Sequence, residues 1–280
     1  MKGRIDLRLR GVPETMLLTL WNRAGHARGP RPFLVDPLAL ELVERIDYPF
    51  RQRFGRPQVT HAIRSRFSDA LVQAFLARTP EALVVALGEG LETQLWRVDD
   101  GRVQWVSVDL PEAIAARRQL LPAHPRNSLI ESSALDHSWL QAVARDGPVF
   151  VTAAGLFMYF ERDAVVRLLR AVTQHCREGE AFFDTIPPWF SRKTLRGWQV
   201  TRHYSAPAMP FGLALGALPG FLASVPGLSL VTALTYAEPY PERLRLFAWL
   251  SRSRRVRDRI APGLVHARFS RFGPETTGSA

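Results

Sequence analysis

From residue 82 onward the chain alternates between two textures. Short apolar runs at about 83–87, 103–108, 127–131, 148–153 and 180–184 are separated by stretches with helical spacing. Runs of that length can be buried on both faces, and the helices between them supply the crossovers that parallel strands need. The alternation therefore predicts an α/β protein built on a doubly wound, mostly parallel sheet. The residues before it read as helices. "PETMLLTLWNRAGHA" sets Met16, Leu17, Leu20 and Trp21 on one stripe. Asp36 and Pro37 open a second helix as N-cap and first residue. Ile63, Phe67, Leu71, Val72 and Phe75 mark a third.

The expected organisation is a helical cap over 1–80 and a sheet domain over 81–272. An insert at about 186–226 returns to the cap, and a tail at 273–280 is expected to be disordered. A strand at 228–234, a helix near 241–258 and a last strand near 264–271 complete the reading.

Charge and cysteine content narrow the partners. The net charge is +11, and Lys2 and Lys193 are the only lysines among 37 basic residues. No basic stripe interleaved with aromatics and no zinc-ligand spacing accompanies that charge, so anionic small molecules are expected rather than nucleic acid. Cys176 is the only cysteine, which excludes an intrachain disulfide and a thiolate metal cluster, and no metal is expected. The charged start "MKGRIDLRLRG" lacks the apolar core of a signal peptide. Residues 211–236 carry no charge and are long enough to span a membrane. However, Pro219, Gly220, Pro226 and Gly227 interrupt them. A buried or pocket-covering segment is expected instead of a span, in a cytoplasmic protein.

The first run leads into "VVALGEGLETQLW". Two glycines directly behind a strand let backbone N–H groups approach a ligand, commonly a nucleotide. Nineteen positions after Gly90, the second run ends at Asp109, where a carboxylate can bind ribose hydroxyls. The competing reading makes Asp109 the N-cap of the helix that Pro111 begins; ribose binding is the favoured one. A dinucleotide fingerprint needs a third glycine where Thr93 stands, and a phosphate-binding P-loop needs Gly-Lys-Ser/Thr, which is absent. A donor without pyrophosphate, S-adenosylmethionine, fits the turn better than NAD.

Leu87-Gly88-Glu89-Gly90-Leu91-Glu92-Thr93-Gln94, followed by "SVDLPEAIAARRQLL", "SSALDHSWLQAV" and "FVTAAGLFMYFERDAV", resembles the leucine carboxyl methyltransferase type of class I methyltransferase. The similarity is to its bacterial branch of polyketide O-methyltransferases. It covers most of 13–190 and implies a Rossmann-like, seven-stranded, mostly parallel sheet with a helical cap. It also implies an S-adenosylmethionine-dependent O-methyltransferase with a small-molecule acceptor. Carried over by position, Arg64 matches the arginine that pairs with the donor's carboxylate. Gly88, Glu89 and Gly90 form the turn, Asp109 and Leu110 flank the ribose, and Ser133 and Ala134 fall at the adenine. Ala154 stands where the protein-phosphatase branch has a glutamate, which argues for a small acceptor. Glu92 and Gln94 depart from the family's Asp and Arg. A cofactor-binding scaffold that lost catalysis and an NAD-dependent enzyme are the alternatives.

For the acceptor, the insert interleaves Trp189, Phe190 and Trp198 with Arg192, Arg196, Arg202, His203 and Tyr204. An ionised carboxylate needs donors and cations but no base, whereas a phenol of pKa about 10 benefits from one. The expectation is a carboxylate held by Arg196 and Arg202 with Tyr204 and Tyr159, with His203 as the candidate base if the acceptor is a phenol. Trp21, Asn22 and Arg23 are expected to face the same cleft. His61 and His137 are read as structural, and Arg245, Arg252 and Arg259 as a solvated helix face.

Overall fold

All five apolar runs form strands: β1 (Leu83–Leu87), β2 (Gln104–Asp109), β3 (Asn127–Glu131), β4 (Val149–Ala153) and β5 (Glu178–Thr185). The computed structural model describes residues 4–143 and 147–270. A hairpin, β6 (Gln199–Thr201) with β7 (Tyr204–Ser205), stands apart, and β8 (Leu228–Thr235) and β9 (Gly263–Ser270) complete the sheet. Its order is β3-β2-β1-β4-β5-β9-β8. Strands β1 to β5 pair in parallel, and β9 runs antiparallel to both of its neighbours.

Alternate residues of each strand face different cores. Leu83, Val85 and Leu87 of β1 join Val151, Phe183 and Val265 on one face, while Val84 and Ala86 join Trp105, Phe150 and Phe182 on the other. Such two-sided burial explains why the strands read as unbroken apolar runs.

Helices α1 (Thr15–His26), α2 (Pro37–Arg45), α3 (Phe50–Phe54) and α4 (Val59–Arg78) precede the sheet. Asp36 caps α2 by accepting from the Ala39 amide at 3.1 Å, with Pro37 in the first turn. Helix α4 differs from the other three. Its Ile63, Val72, Phe75 and Leu76 pack into the sheet core, so the helical layer expected as a cap over 1–80 is partly a layer of the sheet itself. α1 to α3 form their own cluster around Leu17, Leu20, Phe50 and Phe54.

Between the strands lie α5 (Gln94–Val98), α6 (Pro111–Leu120), α7 (Leu140–Val143), α8 (Arg162–His175) and, after β5, α9 (Pro188–Leu195). The uncharged stretch 211–236 becomes a 3-10 turn, the short α10 (Leu218–Ala223) and β8. Leu218, Phe221 and Leu222 are buried. No helix among the described residues is long and apolar enough to cross a membrane. The single helix expected near 241–258 is broken into a 3-10 turn, α11 (Arg245–Leu250) and α12 (Arg254–Arg259). The tail 273–280 lies outside the described residues.

Candidate active site

Where the strand order reverses between β1 and β4, a doubly wound sheet opens a crevice at its C-terminal edge. Here that crevice is a cavity of about 780 Å³, roofed by α1 and by the segment after β5. Gly88 and Gly90 form its rim with φ of +59° and +53°. A Cβ on Gly88 would lie 2.5 Å from Leu156 Cδ1, and one on Gly90 2.7 Å from Met16 Cβ, so both conformation and space demand glycine.

Asp109 ends β2 beside this turn. Its Oδ2 accepts from the Gly90 amide and its Oδ1 from the Leu110 amide, each at 2.8 Å. Helix α6 starts from Leu110 with no side-chain cap, so capping is not what the carboxylate does. Burial raises its pKa, opposed by those two amides. Leu110, Ser133, Ala134 and Ala154 border the same cavity. Glu89 borders it too, but its carboxylate is engaged with Ser107, with Trp105 at 3.4 Å and with Arg117 at 2.9 Å. Its Oε1 therefore braces the turn, while its buried Oε2 has no partner.

Arg64, on α4, is buried on the cavity wall. Its Nη1 lies 3.1 Å from Asp184 Oδ2, which also accepts from Tyr236 Oη at 2.7 Å. The other Asp184 oxygen accepts from the Gly155 amide. A Cβ on Gly155, whose φ is +73°, would come within 2.5 Å of Arg64 Nη1. Burial opposes the charge on Arg64, but Asp184 more than restores it, and the guanidinium stays ionised. Its Nε has no partner.

Behind the turn lies a buried ionic network. Arg23 donates to the Leu91 carbonyl at 2.8 Å and pairs with Glu92 at 2.8 Å and Asp36 at 3.3 Å. Arg97 joins it through Asp69 and Glu92, each at 2.7 Å. Thr93 donates to Asp36 at 2.7 Å, and Gln94 to Ser68 and Asp69. The Glu92 and Gln94 departures thus serve to anchor the turn to α1 and α4. Arg23 is fully buried in this network and Trp21 donates to the Gly55 carbonyl at 3.0 Å while stacking on Phe50. Neither borders the cavity, which corrects their assignment to the acceptor, whereas Asn22 between them does border it.

The far end of the cavity is apolar. Met158, Ile186, Phe190, Trp198 and Met209 form it, and two phenols enter it, Tyr159 and Tyr204. The Tyr204 hydroxyl is buried with no partner. Burial raises the pKa of both phenols, so both remain protonated donors. Arg202 and His203 form the turn between β6 and β7, outside the wall. Arg202 Nε donates to His203 Nε2 at 2.8 Å, and the His203 carbonyl accepts from Arg53. Arg196 is exposed at the end of α9, in a shallow outer groove with Trp189 and Arg192. The expected arginine clamp and His203 base are therefore not on the cavity wall.

His61, expected to be structural, does border the cavity. The Asn22 amide oxygen accepts from the Gln58 backbone at 2.8 Å, which turns the Asn22 nitrogen toward His61 Nδ1 at 2.7 Å. Nδ1 is thereby the acceptor and Nε2 carries the proton. Burial, then Arg64 and Arg23, push the imidazole pKa down to about 3. His61 is a neutral donor.

A glycine turn, an acid closing β2 and a buried cation at the reversal of a seven-stranded sheet define a class I methyltransferase. The sequence profile described as leucine carboxyl methyltransferase matches residues 16–173. The chain belongs to that family. It is 36% identical over 225 residues to the tetracenomycin polyketide synthesis O-methyltransferase TcmP of Streptomyces glaucescens, covering 79% of this chain and 82% of TcmP. It is 35% identical to the S-adenosyl-L-methionine-dependent methyltransferase dpfgK of Gibberella zeae, covering 65% and 68%. The fold is shared with the N-methyltransferase NodS of Bradyrhizobium japonicum in complex with S-adenosylhomocysteine. That likeness has a TM-score of 0.50 at 12% identity, over 84% of this chain and 99% of NodS. The protein is an S-adenosylmethionine-dependent O-methyltransferase, and the scaffold and NAD alternatives fall away. Its residues fit that donor: an ionised Arg64 with an unused Nε, and an acid beside an open glycine turn.

Proposed function

We propose that the enzyme methylates a carboxylate oxygen of a bulky, largely apolar acid of the polyketide type. One observation carries this reading: every acid on the described cavity wall is paired with an arginine or a backbone amide, and its imidazole is held neutral. Glu89, Glu92, Asp109 and Asp184 are each bonded to arginines or backbone amides, and His61 is a neutral donor. An acceptor that arrives ionised needs no proton removed.

When bound, the donor supplies a sulfonium-activated methyl group. The chain's own work is then positioning and exclusion of water. Arg64, held by Asp184, faces the donor's carboxylate, and Asp109 with the glycine turn holds its ribose. Leu110, Ser133, Ala134 and Ala154 line the place proposed for adenine. Tyr159 and Tyr204 donate to the acceptor oxygens, while Phe190, Trp198 and Met209 cover its apolar body. α1 to α3 with the segment after β5 act as the cap, and the cytoplasm is the compartment proposed, in keeping with a single, buried thiol.

The reading is tested by incubating the enzyme with labelled donor and paired aromatic acids and phenols, then treating the products with mild alkali. A methyl ester loses its label on saponification and an aryl ether keeps it. Alkali-stable product alone would exclude the carboxylate.

A further inference from the structure

Helix α11 has no buried residue. Leu246 is 70% and Trp249 62% exposed on it, and Leu250 and, after α12, Ile260 are exposed as well. Phe247 and Ala248 are half-buried, so the exposed Leu246, Trp249 and Leu250 form an apolar face with no cover within the described chain. Its surroundings are cationic. Residues 243–259 contain seven arginines and one acid, Asp258. Asp258 is engaged by Arg254 and Arg257, whereas Arg245, Arg252, Arg255 and Arg259 have no acidic partner among the described residues. Helix α9 continues the surface: Trp189 Nε1 donates to the Ile260 carbonyl at 3.0 Å, and exposed Arg192, Lys193, Leu195 and Arg196 follow.

We infer that α11, α12 and the outer face of α9 dock this enzyme on an anionic lipid surface. Trp and Leu side chains standing out among arginines suit the boundary between headgroups and acyl chains, where rings and aliphatic tips enter and guanidinium groups meet phosphate. The position also has a use. Trp189 faces outward on the surface while its neighbour Phe190 lines the acceptor end of the cavity, and Pro262, two residues after Ile260, lines it too. The patch thus borders the end at which an apolar acceptor is held. The docking surface stands independently of which oxygen is methylated.

The test is co-sedimentation of the full chain with vesicles of phosphatidylcholine alone or with one-third phosphatidylglycerol, at low and high salt. Binding is expected only to the anionic vesicles and to fall at least tenfold in high salt. Leu246→Ser with Trp249→Ser, and separately Arg245→Glu with Arg252→Glu, should each reduce binding at least tenfold. S-adenosylhomocysteine affinity and thermal stability should stay unchanged in both, since these side chains are exposed and distant from the glycine turn. Failure of the wild type to bind anionic vesicles while retaining S-adenosylhomocysteine overturns the proposal. So does undiminished vesicle binding by both double variants. Sedimentation velocity provides a third arm: a dimer that the apolar double variant converts to monomer, without vesicle binding, would make the patch a contact between copies.

Discussion

Arg64 and Asp184, 120 residues apart, meet at 3.1 Å in the floor of the cavity, with Gly155 and Tyr236 closing on the same carboxylate. The pair is buried, so removing one partner strands the other. Asp184→Ala is expected to destabilise the fold by about 3–5 kcal/mol in denaturant titration. Arg64→Gln should weaken S-adenosylhomocysteine binding by about 1.5–3 kcal/mol in calorimetry. Unaltered affinity would remove Arg64 from the donor site.

Asp109 supports a ligand and a turn with the same two oxygens. Asp109→Ala should lower S-adenosylhomocysteine affinity by about 1.5–3 kcal/mol. Asp109→Asn, which retains one acceptor for the Gly90 amide, should lose less. Full affinity in Asp109→Asn with a loss in Asp109→Ala would mean that the turn alone matters.

His61 has a pKa near 3 in the folded protein, below its value of about 6.5 when unfolded. Its neutral form is the one the fold prefers. The corresponding stability is present above about pH 6.5 and is lost as the pH falls toward 3. The rate should then show no inflection from this group between about pH 5 and 8. His61→Ala should retain activity within about tenfold, whereas loss of a general base would cost about 10²–10⁴-fold. A loss of that size with an inflection near neutrality would make His61 a base and revive the phenol.

Tyr204 holds a buried hydroxyl with nothing to bond. An unmet buried donor costs about 1–3 kcal/mol, so Tyr204→Phe should raise stability by about 1 kcal/mol or more. The same change should raise KM for the acceptor and leave donor affinity alone. A destabilised variant with normal KM would make the hydroxyl merely structural.

What could be read from the chain depended on the range of the interaction. Strand positions, the Asp36 cap and the acid closing β2 are written in periods and spacings within a few dozen residues. The acceptor end was misread because interleaved aromatics and arginines do not say which side faces inward. Arg202 and His203 occupy the two-residue turn of a hairpin and point the reading outward, leaving Tyr204 as the member that enters the cavity. The state of His61 depends on Asn22, 39 residues away, and that residue's orientation on Gln58. No local pattern encodes such a chain of contacts. The lone helix expected near 241–258 failed for a related reason: Leu246, Trp249 and Leu250 have no inner face to bind, so little holds one continuous rod.

Strand β9 lies between β5 and β8, although it is the last strand of the sheet to be synthesised. Until residues 263–270 are available, β5 presents an open edge along its whole length, and β8 has no neighbour to pair with. Folding on the ribosome can therefore assemble the parallel strands early but leaves an adhesive border exposed until translation nears its end. A nonsense mutation upstream of Gly263 would yield a chain that retains the glycine turn yet aggregates through that border, separating possession of the donor site from survival in the cell.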